Sequence, residues 1–136
     1  MDVTAVFQGL AEAVDTIPGL NCHPFLPDSI SPPTFAPVDL EIAYNTTFGN
    51  RVEFNPVRCR LLLSRADDKS GQRKLQQYLA ASGPKSVKAA IEADRTLGGT
   101  CDSLHVMTVT GYGWYEHAGT QYLGAQWDVR VIGKGD

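Results

Sequence analysis

The sequence predicts an α+β domain: one mainly antiparallel sheet with helices packed on one face, in the order α-β-β-β-α-α-β-β. Three observations carry that prediction. Apolar residues open the chain at three- and four-residue steps. Period-two segments follow at 38–44, 51–64, 104–110 and 119–133. Two short helical segments stand between the strand pairs. A helix repeats its apolar face every three or four residues and a half-buried strand every two. Two antiparallel hairpins with helices between them fold most simply as one sheet covered on one side.

Residues 2–16 predict the first helix. Val3, Val6, Phe7, Leu10, Ala11, Val14 and Ile17 share a face, Asp2 or Thr4 suits the N-cap, and Pro18-Gly19 stops it. Residues 20–25 are short and extended. "LPDSISPPTFAP", 26–37, carries four prolines and reads as a rigid arm or long loop.

In "VDLEIAY", 38–44, Val38, Leu40, Ile42 and Tyr44 face inward and Asp39 and Glu41 outward. "NTTFGN", 45–50, is a turn. From 51 to 64 the apolar parity changes: Val52 and Phe54 are even, Val57, Cys59, Leu61 and Leu63 odd. A bulge at Pro56 returns them all to one face. Pairing through the turn then sets Asp39 opposite Arg58.

After the loop "RADDKSGQ", a helix is expected at 73–81 with Leu75, Tyr78 and Leu79 inward. A second is capped by Ser86, buries Val87, Ala90 and Ile91, and is stopped by Gly98-Gly99. Residues 104–110 form a strand and "GYGWYEHAG", 111–119, a hairpin loop. In the last strand Leu123, Ala125, Trp127, Val129 and Val131 face the core, while Tyr122, Gln126, Asp128 and Arg130 face away.

The chain has 136 residues, which suits one domain over 1–136 and buries a core without crosslinks. Its formal net charge is −3 with no basic block, which disfavours tight grip on nucleic-acid phosphates. Three cysteines, Cys22, Cys59 and Cys101, are odd in number and far apart, so free thiols in a reducing cytoplasm are expected rather than a disulfide or zinc framework. No apolar run approaches membrane-spanning length, and Asp2 stands where a leader would be basic.

No convergent catalytic set is expected. Cys22 and His23 are neighbours on an extended segment and point to opposite faces, which defeats a thiol–imidazole pair. His23, His105 and His117 lack metal-ligand spacing, and Asp67-Asp68 suits the start of a helix. The glycine clusters match no phosphate-cradling loop. Trp114 and Tyr115, placed on a loop tip, are candidate contact anchors or a lid on the core. The polar strand faces remain, either solvated or a subunit interface, with Arg58 and Arg60 on one strand and Gln126, Asp128 and Arg130 on the other.

The combination of the helix ending in "IPGL", "LPDSISPPTFAPV", "RLLLSRADDKSGQRKLQQYL", "GPKSVKAAIEADRTLGGTCDSLHV" and "YLGAQWDVRVIG" resembles the tail terminator (tail completion) proteins of long-tailed bacteriophages, the actinobacteriophage type in particular. The resemblance implies a small structural virion subunit, without enzymatic activity or cofactor. It implies a ring, usually hexameric, at the head-proximal end of the tail tube, which ends tube polymerisation and joins the head. The implied partners are further copies of the chain, the tail tube protein and the head–tail connector. DNA passes through the lumen without specific binding, and assembly takes place in the host cytoplasm.

A ring needs two different patches that meet. Arg58, Arg60, Gln126, Asp128 and Arg130 are the expected subunit contacts. Asn45, Phe48, Asp67, Asp68, Lys69, Trp114 and Tyr115 are the expected contacts to tube or connector. The rival readings are another head–tail connector or neck protein of the same virion, a small α+β enzyme, and a ligand-binding module lined by Trp114, Tyr115 and Trp127.

Overall fold

The computed structural model describes residues 1–44, 51–64 and 68–134. Its elements are α1 (Val3–Val14), β1 (Asn21–Cys22), β2 (Thr34–Tyr44), β3 (Arg51–Ser64), α2 (Asp68–Leu79), α3 (Val87–Glu92), β4 (Ser103–His117) and β5 (Thr120–Lys134). The order is the one the sequence predicts. The strands form one mixed sheet, β1-β2-β3-β5-β4, in which only the two-residue β1 runs parallel to its neighbour.

Local chemistry starts and stops these elements. The Asp2 carboxylate accepts the Thr4 N–H at 3.0 Å and caps α1. Ser86 caps α3 by accepting the Ala89 N–H at 3.1 Å. Helix α3 is shorter than the periodicity suggests and ends at Glu92, well before Gly98-Gly99. Asp94 explains this: its carboxylate takes the N–H groups of Thr96 and Gly98, which offers the backbone a turn in place of a further helical turn. Helix α2 begins at Asp68, earlier than the expected 73, and ends at Leu79. Leu75 and Tyr78 hold it to the core.

The core lies between the sheet and the helices. Val6, Leu10 and Val14 of α1, Leu75 of α2 and Val87 and Ile91 of α3 meet Phe54, Val57, Cys59, Leu61 and Leu63 of β3 and the odd residues of β5. Leu123, Ala125, Trp127, Val129 and Val131 are all buried, as the alternation requires. Trp127 packs edge-on against Phe35, with ring centroids 6.5 Å apart.

The parity change in β3 is a bulge, as expected. Between Phe54 and Val57 the register against β5 shifts, and Val52, Phe54, Val57, Cys59, Leu61 and Leu63 are all buried.

Two expectations fail here. Thr34–Pro37 is not loop but the first part of β2, where Thr34 and Phe35 pair with β1. Pro37 is tolerated because β1 stops at Cys22, so from Ala36 onward β2 is an edge strand. Ile42 and Tyr44 do lie on the helix side, opposite Phe54 and Val52, yet they are 37% and 71% exposed. Helix α1 covers the other end of β2.

Candidate functional site

The candidate residues on the helix-free face come together. Cross-strand pairing places Asp39 of β2, Arg58 of β3, Asp128 of β5 and Thr108 of β4 in one row over four strands. The next row holds Ala36, Arg60, Gln126 and Thr110. Such rows arise because directly paired residues project from the same face.

Most of the charge in these rows is paired within the chain. Arg58 donates to Asp39 at 2.9 Å, as the sequence predicts, and lies 3.6 Å from Glu41. The Asp39 hydrogen bond and charge hold the Arg58 guanidinium above its ordinary value, with smaller help from Glu41 and Asp128. Arg60 donates to Gln126 at 3.1 Å and sits 4.6 Å above the Tyr115 ring, a cation–π contact. Arg130 pairs with Glu53, and Asp128 receives the Thr108 hydroxyl at 3.4 Å. Two atoms are left over: Arg60 Nε and Asp128 Oδ1 are buried without a hydrogen-bond partner.

Trp114 and Tyr115 are not on a loop tip. Strand β4 runs through them to His117, and the hairpin turn is Ala118-Gly119. Both turn residues have positive φ, 52° and 81°, which a two-residue hairpin of this kind requires. The earlier glycines serve a bulge instead, where the register shifts between Thr110 and Gly113. Tyr115 folds over the helix-free face, donating its hydroxyl to the Gly111 carbonyl at 2.6 Å. Trp114 pairs with Leu123 on the opposite face and stays 49% exposed.

Asn45, Phe48 and Asp67 lie outside the described residues. Asp68 and Lys69 open α2, where only the backbone is described.

Two of the histidines are engaged by groups of the same chain. His117 bonds through its ring to the carbonyls of Pro27 and Asp28, and His105 meets Arg95 at 2.7 Å. Among the described residues no three His, Cys, Asp or Glu side chains converge in a metal-holding group. Burial, reinforced by Asp15, pushes the Cys22 thiol up to about 12. Burial pushes Cys101 up to about 11 and raises Cys59 as well. Thiols so shifted are protonated at neutral pH and are poor nucleophiles. Among the described residues, surface depressions lie beside residues 77–85, between α1 and the 94–98 turn, and beside Met1 and Lys134, away from the polar rows. Among the described residues no helix is long and apolar enough to cross a membrane.

Sequence reasoning missed the sheet edges. Beyond Phe35, β2 has no strand beside it among the described residues, and neither has the outer side of β4. Met107, Val109, Tyr112 and Trp114 are all exposed along β4. Monomeric proteins seldom leave a long apolar edge uncovered, because its unpaired backbone groups recruit other strands. The signal was available in "HVMTVTGYGWYEH", a run of strand-forming residues, but its glycines read as a turn.

No protein-family model matches the chain, and a search of curated proteins returns no match.

Proposed function

We propose that this chain is a structural virion subunit of a long-tailed bacteriophage. It forms a ring at the head-proximal end of the tail tube, ends tube polymerisation and presents the surface that joins the head. The observation that carries the proposal is a single sheet with helices on one face and two different edges with no strand beside them among the described residues, β2 beyond Phe35 and β4. A ring requires two unlike patches on each subunit, and an open sheet with unlike edges supplies them. The family resemblance of the sequence supplies the place in the virion. The helix-free face suits a lumen traversed by DNA. Arg58, Arg130 and Arg60 are each engaged by Asp39, Glu53 or Gln126, and phosphates are not offered a row of unpaired cations.

Electron microscopy of the purified chain over a concentration series, with mass measured on the same samples, tests the proposal. Closed rings with an open lumen are expected. A chain that stays monomeric at every concentration, and does not gather on the ends of purified tail tubes, would overturn it.

A further inference from the structure

We infer that neighbouring subunits join by continuing the sheet, the outer edge of β4 in one copy pairing antiparallel with the free edge of β2 in the next. The inference rests on the ring reading and identifies its contact.

Direction follows from topology. Strand β2 is antiparallel to β3, β3 to β5, and β5 to β4. Strands β2 and β4 therefore run in opposite directions. Copies related by rotation about an axis along the strands bring β4 beside the next β2 in antiparallel order, the arrangement that pairs best.

The extent of each edge follows from what already covers it. At the start of β4, Glu92 of α3 accepts the Val106 N–H at 3.0 Å and Arg95 lies against His105. That end is sealed by its own chain; beyond it 107–116 is open except at the bulge, where the Gly111 carbonyl accepts the Tyr115 hydroxyl, and His117 is held by the Pro27 and Asp28 carbonyls. On β2 the pairing with β1 ends at Phe35, Ala36 and Pro37 are still buried, and the open stretch is 38–44. The two stretches are offset along the strand direction, since Ile42 shares a row with Leu104 and Pro37 with Val109. Joining them staggers the register at every subunit boundary, and stagger is what closing a sheet into a barrel demands.

Side chains agree with this partner. Ile42 and Tyr44 are apolar, exposed and on the helix side of β2; Val109 and Trp114 are apolar, exposed and on the helix side of β4. Pairing puts them on one continuous face. Charge disfavours joining two β2 edges. Each presents Asp39 and Glu41 against the single Arg58, whereas the open stretch of β4 carries one carboxylate, Glu116. Two β2 edges together would crowd four carboxylates.

Within one chain, positions 42 and 109 are separated by three strand steps, about 14 Å at ~4.8 Å each, besides their offset along the strands, beyond the reach of a disulfide. A bond between them can form only between copies. The full chain carrying both Ile42→Cys and Val109→Cys, oxidised and run on a denaturing gel, is expected to give a ladder of linked species at least tenfold stronger than either single variant or the parent. Met107→Lys is expected to abolish the ladder while the buried Trp127 emission stays unchanged. Rings without a ladder would overturn the edge assignment and leave the ring reading standing. Dimers from Val109→Cys alone would overturn it in favour of two like edges. Absence of both rings and ladder would overturn the edge assignment together with ring formation in solution.

Discussion

Replacing Trp127 by phenylalanine tests how the core and the polar rows share one strand. The indole is fully buried, edge-on to Phe35, and its Nε1 has no hydrogen-bond partner. Indole to phenyl removes about three ring atoms, which at ~0.8 kcal/mol per carbon-sized group, with the cavity left behind, loses about 2–3 kcal/mol. An unpaired buried N–H costs about 1–3 kcal/mol, and phenylalanine removes that penalty. The two nearly cancel, leaving a net change between a gain of about 1 and a loss of about 2 kcal/mol. Trp127→Ala loses the same N–H and far more packing, so about 3–5 kcal/mol is expected. Urea unfolding followed by far-ultraviolet circular dichroism reads both, and the slope should match the parent's. A Trp127→Phe variant as unstable as Trp127→Ala would refute the reasoning, since it would mean that the indole N–H is satisfied.

Three further outcomes are expected. Gly124→Ala should lower stability by about 2–3 kcal/mol in the same urea assay, because a Cβ there runs into the Leu61 carbonyl and crowds Tyr115 and Leu62. Burial opposes the Glu92 charge, but the Lys88 hydrogen bond, the Val106 N–H and the charges of Lys88 and Arg95 outweigh it and hold the carboxyl below its ordinary 4.5. The lowered folded-state value makes this a contribution present above pH ~4.5 and lost as pH falls through the folded value. Glu92→Gln should therefore be less stable than the parent at pH 7, by about 1–2 kcal/mol, and the gap should shrink in acid; a gap that does not change with pH would contradict the ion pairing. Titration with an aromatic disulfide reagent at pH 7.5 should find Cys59 and Cys101 unreactive in the folded chain and all three cysteines reactive in denaturant; prompt native labelling of Cys59 would contradict its burial.

What was legible in the sequence was whatever a single strand or helix decides alone. The alternation of β5 placed five residues in the core, and the parity break at Pro56 located a bulge because no other device returns Val52 and Val57 to the same face. The Asp39–Arg58 contact followed from that register. What escaped was settled by groups distant in sequence. Whether Pro37 sits in strand or loop depends on β1 ending at Cys22. Whether α3 continues past Glu92 depends on the Asp94 side chain competing for backbone N–H groups. The glycines at 111 and 113 serve a bulge or a turn equally well until Ala118-Gly119 is seen to close the hairpin. The candidate subunit contacts are the polar residues of two outward strand faces, and polarity in a sequence does not show that Glu53 is within reach of Arg130.

That last point bears on where copies of the chain can meet. An exposed or half-exposed ion pair contributes little, and breaking one to remake it with a neighbour gains less still. Arg58, Arg60 and Arg130 are therefore poor sources of assembly energy while Asp39, Gln126 and Glu53 hold them. Unpaired strand edges differ in kind. Apart from the Val106 N–H taken by Glu92 and the Gly111 carbonyl taken by Tyr115, no strand among the described residues pairs with them, and the apolar side chains along them, Ile42 and Tyr44 on one and Met107, Val109 and Trp114 on the other, gain from burial at ~25 cal/mol per Å². If copies join at those edges, as proposed, partner selection rests on the backbone and the apolar edge, while the paired charges keep the helix-free face polar. For a ring around a DNA path, those are the two properties its surfaces must divide between them.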